Sequence, residues 1–175
     1  MPTEQSLTQL QSLLRELCRL PAETDWVEFK NSNKDPEMIG EYISALSNSA
    51  ALIGKQTGYL VWGVKDDDHQ IIGTTFKPSE VLHKQQELES WLLQKCNPKI
   101  FFQFHEFLSS ENLPVVILEI QAATNTPVQF DGTEFIRIGS YKKKLRDFPE
   151  RERALWRVFD KTPFEKQAAA ENCRD

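Results

Sequence analysis

The chain reads Gly58-Tyr59-Leu60-Val61-Trp62-Gly63-Val64-Lys65-Asp66-Asp67-Asp68 over residues 58–68. The apolar run at 59–65 is typical of a buried strand, because it is short, β-branched and aromatic, and bounded by turn residues. The acidic residues and His69 then form a turn, after which residues 70–76 resume an apolar pattern. We therefore predict a β-hairpin of residues 59–65 and 70–76.

Periodic segments outside this hairpin predict four helices, a short strand and two more hairpins. Leucines at helical spacing indicate an amphipathic first helix, and Asp35 followed by Pro36 marks the start of the second. The predicted helices cover residues 4–19, 36–53, 78–95 and 150–159, the strand covers 26–30, and the hairpins join 99–108 with 113–121 and 127–130 with 133–138.

Hairpins with interposed helices predict an α+β domain, in which helices pack on a mixed, mostly antiparallel sheet. At 175 residues the chain is long enough for one domain with its own core. We expect an N-terminal amphipathic helix over residues 1–20, the domain itself over 21–159, and a polar tail or linker over 160–175 that leads toward a further domain.

Composition narrows the class of protein. No apolar stretch is long enough to span a bilayer, and residues 1–20 lack the features of a signal peptide, so we expect a cytoplasmic protein without a membrane partner. The three cysteines lie outside any CxxC pattern, which argues against disulfides and structural zinc. The net charge is −5, but residues 137–157 hold eight Lys/Arg against three Asp/Glu. A local positive segment of this kind can attract a polyanion despite the acidic total.

Carboxylates near the ends of two apolar runs form the first candidate site. Glu28 alternates with Val27 and Phe29, Glu23 lies five residues earlier, and Asp66 begins the acidic turn. If their strands are neighbours, the three carboxylates could hold Mg²⁺ or Mn²⁺ against a phosphodiester. The alternative is that these acidic residues are solvated or cap the ends of strands, as acidic residues in turns commonly do.

A basic segment forms the second candidate site. Arg137 interrupts an apolar strand, and a Gly-Ser turn is followed by Tyr141, Lys142, Lys143, Lys144 and Arg146. Basic residues beside an aromatic ring are typical of phosphate neutralisation combined with base stacking. The alternative is a solvated cationic loop that balances an acidic chain.

Six short segments follow one another in an order that resembles the Schlafen AlbA-type domain, over about residues 21–157. None is specific alone. They are Glu23-x4-Glu28-Phe29-Lys30, residues 41–49, residues 58–64 with the acidic turn, Ile72-Gly73, Thr126-Pro127-Val128 and residues 135–140.

This resemblance implies a Schlafen-lobe-like fold and a nucleic-acid-binding domain of a bacterial transcriptional regulator. Relatives often form the N-terminal part of a longer chain that ends in an ATP-binding or winged-helix domain, which suits the polar tail. Some members are metal-dependent endoribonucleases with three carboxylates. Two of these match Glu23 and Glu28, and Asp66 is the best match for the third. The chain departs from the pattern at Lys65, where relatives often carry an acid, and in a longer loop over residues 48–58.

Three functions are therefore open at this stage. The leading hypothesis is binding of DNA or RNA, with Arg137, Lys142, Lys143, Lys144 and Arg146 contacting phosphates, Tyr141 stacking and Lys30 assisting. The second is an Mg²⁺- or Mn²⁺-dependent endoribonuclease that uses Glu23, Glu28 and Asp66 as metal ligands and catalytic residues. The third is a module for homo-oligomerisation or sensing, whose charges contact a C-terminal domain.

Overall fold

The structure is a computed structural model that describes residues 3–21 and 24–172, with side chains described as far as residue 160. The helices within these ranges are α1 (Glu4–Cys18), α2 (Pro36–Leu52), α3 (Leu88–Lys95) and α4 (Pro149–Asn172). The strands are β1 (Val27–Lys30), β2 (Thr57–Trp62), β3 (Leu82–His83), β4 (Gln86–Glu87), β5 (Cys96–Asn97), β6 (Phe102–Leu108), β7 (Pro114–Gln121), β8 (Gln129–Phe130), β9 (Thr133–Ile138) and β10 (Tyr141–Lys144).

A four-stranded sheet in the order β1-β2-β7-β6 lies at the centre of the fold. β1 and β2 are parallel, and the other two pairs are antiparallel. Strand alternation directs Leu60 and Trp62 toward α2 and α3, and Val61 toward the apolar face of α1. The sheet thus separates two apolar cores. This architecture confirms the predicted α+β class with a mixed, mostly antiparallel sheet.

A second sheet in the order β10-β9-β8-β5 is antiparallel throughout. β9 pairs with β8 over only two residue pairs. Beyond them, side chains of α2 take the place of a strand partner, because Ser44 Oγ accepts from the Phe135 N–H (2.9 Å) and Ser49 Oγ accepts from the Arg137 N–H (3.0 Å). The buried polar residues of α2 therefore attach the second sheet to the helix.

Asn48 makes the largest number of these contacts. Its Nδ2 donates to the carbonyls of Val128 (3.1 Å) and Phe135 (2.9 Å), and its Oδ1 accepts from the Val128 N–H (2.8 Å). The side chain is fully buried. Its amide thus holds β9 and the segment before β8 in one register relative to α2.

We expect Asn48→Ala to lower the free energy of unfolding by about 2–4 kcal/mol, because buried backbone groups lose their partners. Urea denaturation monitored by tryptophan fluorescence measures this loss. Asn125→Ala is the matched control, since Asn125 is exposed, and it should change stability by less than about 0.5 kcal/mol. Equal stabilities for the two variants would contradict this role of Asn48.

The predicted hairpin of residues 59–65 and 70–76 is wrong in its second half. One isolated bridge joins Val64 to Ile71, after which the N–H groups of Ile72 and Gly73 both donate to the Gly63 carbonyl. Gly63 and Gly73 adopt positive φ angles of 95° and 83°. These angles turn the chain out of the ladder, so residues 72–76 cross the end of the sheet instead of extending it.

The predicted helix over residues 78–95 is also wrong in its first half. Residues 78–80 form a single 3-10 turn, and β3 and β4 then make a tight hairpin. Lys84 and Gln85 at its turn have φ angles of 49° and 65°, which a helix excludes. Helix α3 starts only at Leu88. The hairpin before it places the His83 ring against the Trp91 ring, with 4.3 Å between the ring centres.

The remaining predicted elements are confirmed, and several of their ends shift by one to three residues, as in the strand predicted from residue 99, which begins at Phe102. Helix α4 continues to Asn172 rather than ending near Phe159. Residues 141–144, predicted as a loop, form the edge strand β10. None of the helices in residues 3–21 and 24–172 combines the length and apolar character that crossing a bilayer requires.

Candidate functional site

Glu28 lies at the junction of the two sheets. In β1, alternation sends Val27 and Phe29 to the α1 core and leaves Glu28 on the face toward α2. The Glu28 side chain is 5% exposed, and its Oε2 forms an ion pair with Arg137 Nη1 from β9. Arg137 Nη1 also donates to the Val27 carbonyl at 2.9 Å. This buried pair therefore joins the edge of the central sheet to the second sheet.

A second cation lies beside the same carboxylate. Lys30 Nζ is 3.5 Å from Glu28 Oε1, so each carboxylate oxygen faces a cation. Burial raises the pKa of Glu28, and the charges of Arg137 and Lys30 lower it in part. The charge of Asp66 raises the pKa of Glu28 further.

Tyr42 and Glu41 connect this ion pair to β10. Lys30 Nζ lies 5.0 Å from the centre of the Tyr42 ring, and Lys142 Nζ lies 4.8 Å from it. Lys142 Nζ is also 3.3 Å from Glu41 Oε2. Burial raises the pKa of Tyr42, and the Glu28 charge adds to that rise. Lys142 is thus held against α2 by an ion pair and by an aromatic face.

The rest of β10 presents its charges to solvent. β10 is the edge strand of the second sheet, with Lys142 opposite Arg137 and Lys144 opposite Phe135. Tyr141 is 67% exposed and lies on the opposite face of the strand from Lys142. Lys143 Nζ lies 5.6 Å from the Tyr141 ring centre. Lys144 and Arg146 are exposed as well, so four of the predicted contact residues form one accessible basic strip.

The structure brings some of the predicted site residues together and not others. Glu28 and Arg137 meet in one buried cluster with the partly buried Lys30, whereas Asp66 is exposed in the turn after β2. Glu23 lies outside the described residues. Within the described ranges, no group of three or more His, Cys, Asp or Glu side chains could hold a metal ion. Because both Glu28 oxygens face cations, Glu28 and Asp66 as placed do not fit a divalent metal.

Arg137 was predicted to contact phosphates, but it is 2% exposed. Its guanidinium belongs to the buried cluster and not to the accessible strip. The sequence carried a signal for this pairing, because Val27-Glu28-Phe29 and Ile136-Arg137-Ile138 each place a single charge between two apolar residues. Charges of opposite sign in two such strands are candidates for a buried ion pair. The Glu41 and Tyr42 contacts to Lys142 had no comparable signal.

Comparisons with known proteins identify the family of the chain. The sequence model of the Schlafen AlbA_2 family matches residues 23–146. The chain therefore belongs to the Schlafen AlbA_2 family, and the expected resemblance is confirmed. No curated protein matches the chain.

Among solved structures, the DIP2311 protein from Corynebacterium diphtheriae matches with a TM-score of 0.49 and 16% identity. The match covers 81% of the present chain and 26% of that one. The chain thus spans about a quarter of the length of this solved structure.

Proposed function

We propose that this domain binds DNA or RNA through the phosphate backbone, as part of a cytoplasmic transcriptional regulator. The observation that carries the proposal is the basic strip on β10 and the turn after it, made of Tyr141, Lys143, Lys144 and Arg146. These side chains are exposed and lie on an edge strand or in the turn directly after it, where a polyanion can approach without displacing other elements. Membership of the Schlafen AlbA_2 family supports the same class of ligand.

The buried cluster has a positioning role in this proposal. Arg137 fixes β9 to β1 through Glu28, and Lys142 ties β10 to α2 through Glu41. Both lysines beside Tyr42 are partly buried, with side-chain exposures of 23% for Lys30 and 20% for Lys142. We therefore assign direct phosphate contact to Lys143, Lys144 and Arg146, and a supporting role to Lys30, Arg137 and Lys142.

Contacts of this kind position a protein on the backbone without reading base identity. The Tyr141 ring supplies a stacking surface for an unpaired base, worth about 1–3 kcal/mol. Since the whole chain carries a net charge of −5, repulsion elsewhere keeps the affinity low. The proposal is thus a weak, salt-sensitive binder that prefers single-stranded segments, where a base is free to stack.

Binding to labelled single-stranded and duplex oligonucleotides, followed by fluorescence anisotropy, tests the proposal. We expect dissociation constants of about 10⁻⁴–10⁻⁶ M near physiological salt, with log K falling linearly against log salt concentration. Each neutralised phosphate contributes about −0.7 to that slope on a single strand and −0.9 on a duplex. Binding that does not change between ~50 and ~200 mM salt would overturn the proposed phosphate contacts.

Metal-dependent cleavage through Glu23, Glu28 and Asp66 has weaker support in the described geometry. Glu28 is occupied by two cations, and Asp66 interacts with it only through its charge. Incubation of structured RNA with the protein and Mn²⁺ distinguishes the two functions. Binding without cleavage agrees with our proposal. Cleavage by the parent protein that is lost in Glu28→Gln, under conditions where that variant stays folded, would instead show that the domain is a nuclease.

A further inference from the structure

Strand β6 has a free edge on the side of the central sheet far from the basic strip. The β6–β7 register runs from Phe102 opposite Ile120 to Leu108 opposite Pro114. At its two ends, the Gln121 N–H donates to the Phe101 carbonyl and the Ser109 N–H donates to the Leu113 carbonyl. Odd-numbered residues of β6 therefore direct their backbone groups to β7, and even-numbered residues direct theirs outward.

Only part of this outer edge has a partner. Gln11 Nε2 from α1 donates to the outward Leu108 carbonyl at 3.0 Å. In the part of the chain that the structure describes, the outward N–H and C=O groups of Phe104 and Glu106 make no hydrogen bond. A row of unpaired backbone groups at a sheet edge is a template on which another extended segment can pair.

The same edge forms the floor of a cleft of about 390 Å³. One wall is α1, through Ser6 and Leu10, and the other wall is residues 78–79 together with the start of α3. Three carboxylates line it, from Glu87, Glu89 and Glu106, and no described Lys or Arg side chain does. Glu106 is held in place by the N–H and hydroxyl of Ser79, at 2.9–3.1 Å.

We propose that this cleft binds an extended, basic peptide segment, which pairs with β6 as a fifth strand of the central sheet. Even-numbered side chains of β6 lie on the α3 side, where Phe104 packs against the core and Glu106 lines the cleft. A pairing segment has the same alternation. Lysine or arginine at every second position therefore faces the carboxylates, and the intervening residues face Leu10.

Charge also distinguishes this occupant from a second copy of the chain. Pairing of β6 with its own symmetry mate would bring Glu87, Glu89 and Glu106 of two copies together, and like charges across an interface cost several kcal/mol. A basic segment instead neutralises them. Spacing of about 3.3 Å per residue along a strand makes a peptide of six to eight residues long enough to cover the edge.

The test uses a fluorescent eight-residue peptide in which lysine alternates with valine. In the antiparallel arrangement, which we propose for the peptide, lysines that face Glu106 occupy hydrogen-bonded positions opposite β6. Their backbone N–H groups are therefore needed for pairing. N-methylation of the lysine nitrogens should weaken binding by tenfold or more, whereas N-methylation of the valine nitrogens should leave it nearly unchanged. Equal affinities for the two methylated peptides would overturn strand pairing.

Protein variants and hydrogen exchange provide an independent readout. Glu87→Gln/Glu89→Gln should weaken binding by threefold or more, and Glu111→Gln/Glu150→Gln, which removes two exposed carboxylates elsewhere, should not. The peptide should slow amide exchange at Phe104 and Glu106. Unchanged exchange at these two amides under saturating peptide would overturn the proposal. It would also be overturned if sedimentation showed a dimer in the absence of peptide and the two amides were already protected from exchange in that dimer.

Discussion

Replacement of Lys143, Lys144 and Arg146 together by glutamine should abolish measurable nucleic-acid binding at ~100 mM salt. Three phosphate contacts correspond to a slope of about −2 to −3 in log K against log salt. At ~0.1 M salt, their loss lowers the affinity by about two to three powers of ten. Since the starting affinity is weak, anisotropy should show no saturation, and whatever binding persists should be nearly independent of salt.

The matched control removes the same charge elsewhere. Arg15, Lys77 and Lys84 are exposed and lie outside β10, so Arg15→Gln/Lys77→Gln/Lys84→Gln should lower affinity by less than about threefold. Lys142→Gln alone should have an intermediate effect, because Lys142 is engaged by Glu41 and Tyr42. Similar losses in the two triple variants would show that the total charge, and not the β10 strip, determines binding.

Arg137→Met should have the largest effect on stability among the charged residues of the site. It leaves the buried Glu28 carboxylate with Lys30 as its only cationic partner at ion-pair distance within the described residues. Loss of one member of a buried ion pair costs about 3–5 kcal/mol. Urea denaturation at pH 7 measures this change, with Lys95→Met as the control. Lys95 pairs with exposed Asp131 at 3.6 Å, so its loss should cost less than about 1 kcal/mol.

The destabilisation caused by Arg137→Met should depend on pH in a defined direction. Burial already raises the pKa of Glu28 in the folded protein, and Arg137 offsets part of that rise. A group whose pKa is raised by folding contributes stability at low pH and loses it as the pH rises through the folded-state pKa. Without Arg137 the pKa of Glu28 in the folded protein rises further, so the loss of stability with rising pH continues to a higher pH than in the parent protein. The variant should therefore be less destabilised at pH 5 than at pH 7.

A double variant separates charge from packing. Glu28→Gln/Arg137→Met removes both charges, and it should recover part of the stability lost at pH 7 and most of the pH dependence. Replacement of a buried ion pair by neutral groups is often close to neutral in stability. An Arg137→Met variant with the same destabilisation at pH 5 and pH 7 would show that Arg137 acts through packing and not through the Glu28 charge.

The sequence predicted the alternating segments of the fold well, because their patterns reflect burial on one or two faces. The hairpin that joins residues 127–130 with 133–138 was correctly predicted, and it corresponds to β8 and β9. The errors occurred where tertiary contacts determine the backbone. Lys84 and Gln85 adopt positive φ without glycine, and a basic run such as 141–144 becomes a strand only through its pairing with β9.

The chemistry of the site was predictable to a similar degree. Residue types identified a basic strip and an acidic motif. The apolar neighbours of Glu28 and Arg137 marked both residues as candidates for burial, but nothing in the sequence marked the contacts of Lys142 with Glu41 and Tyr42. The side chains of Lys142 and Arg137 point toward α2 because these two residues lie opposite each other in the β9–β10 pair. The sequence does not specify this register. The pairing of Arg137 with Glu28 depends on the relative position of two sheets that no local pattern specifies. Local sequence patterns therefore predicted which charged residues belong to the site, and the arrangement of the two sheets determined which of them are buried and which are exposed.

The contact from Arg137 to the Val27 carbonyl spans 110 positions of sequence. During synthesis, β1 is complete long before the arginine that neutralises its glutamate has been added. Closure of so long a loop is entropically costly and comes late in folding. We therefore expect β9 and β10 to dock last, so that a partly made chain does not present the ordered basic strip. Nucleic acid would then bind only after the whole domain has been synthesised and folded.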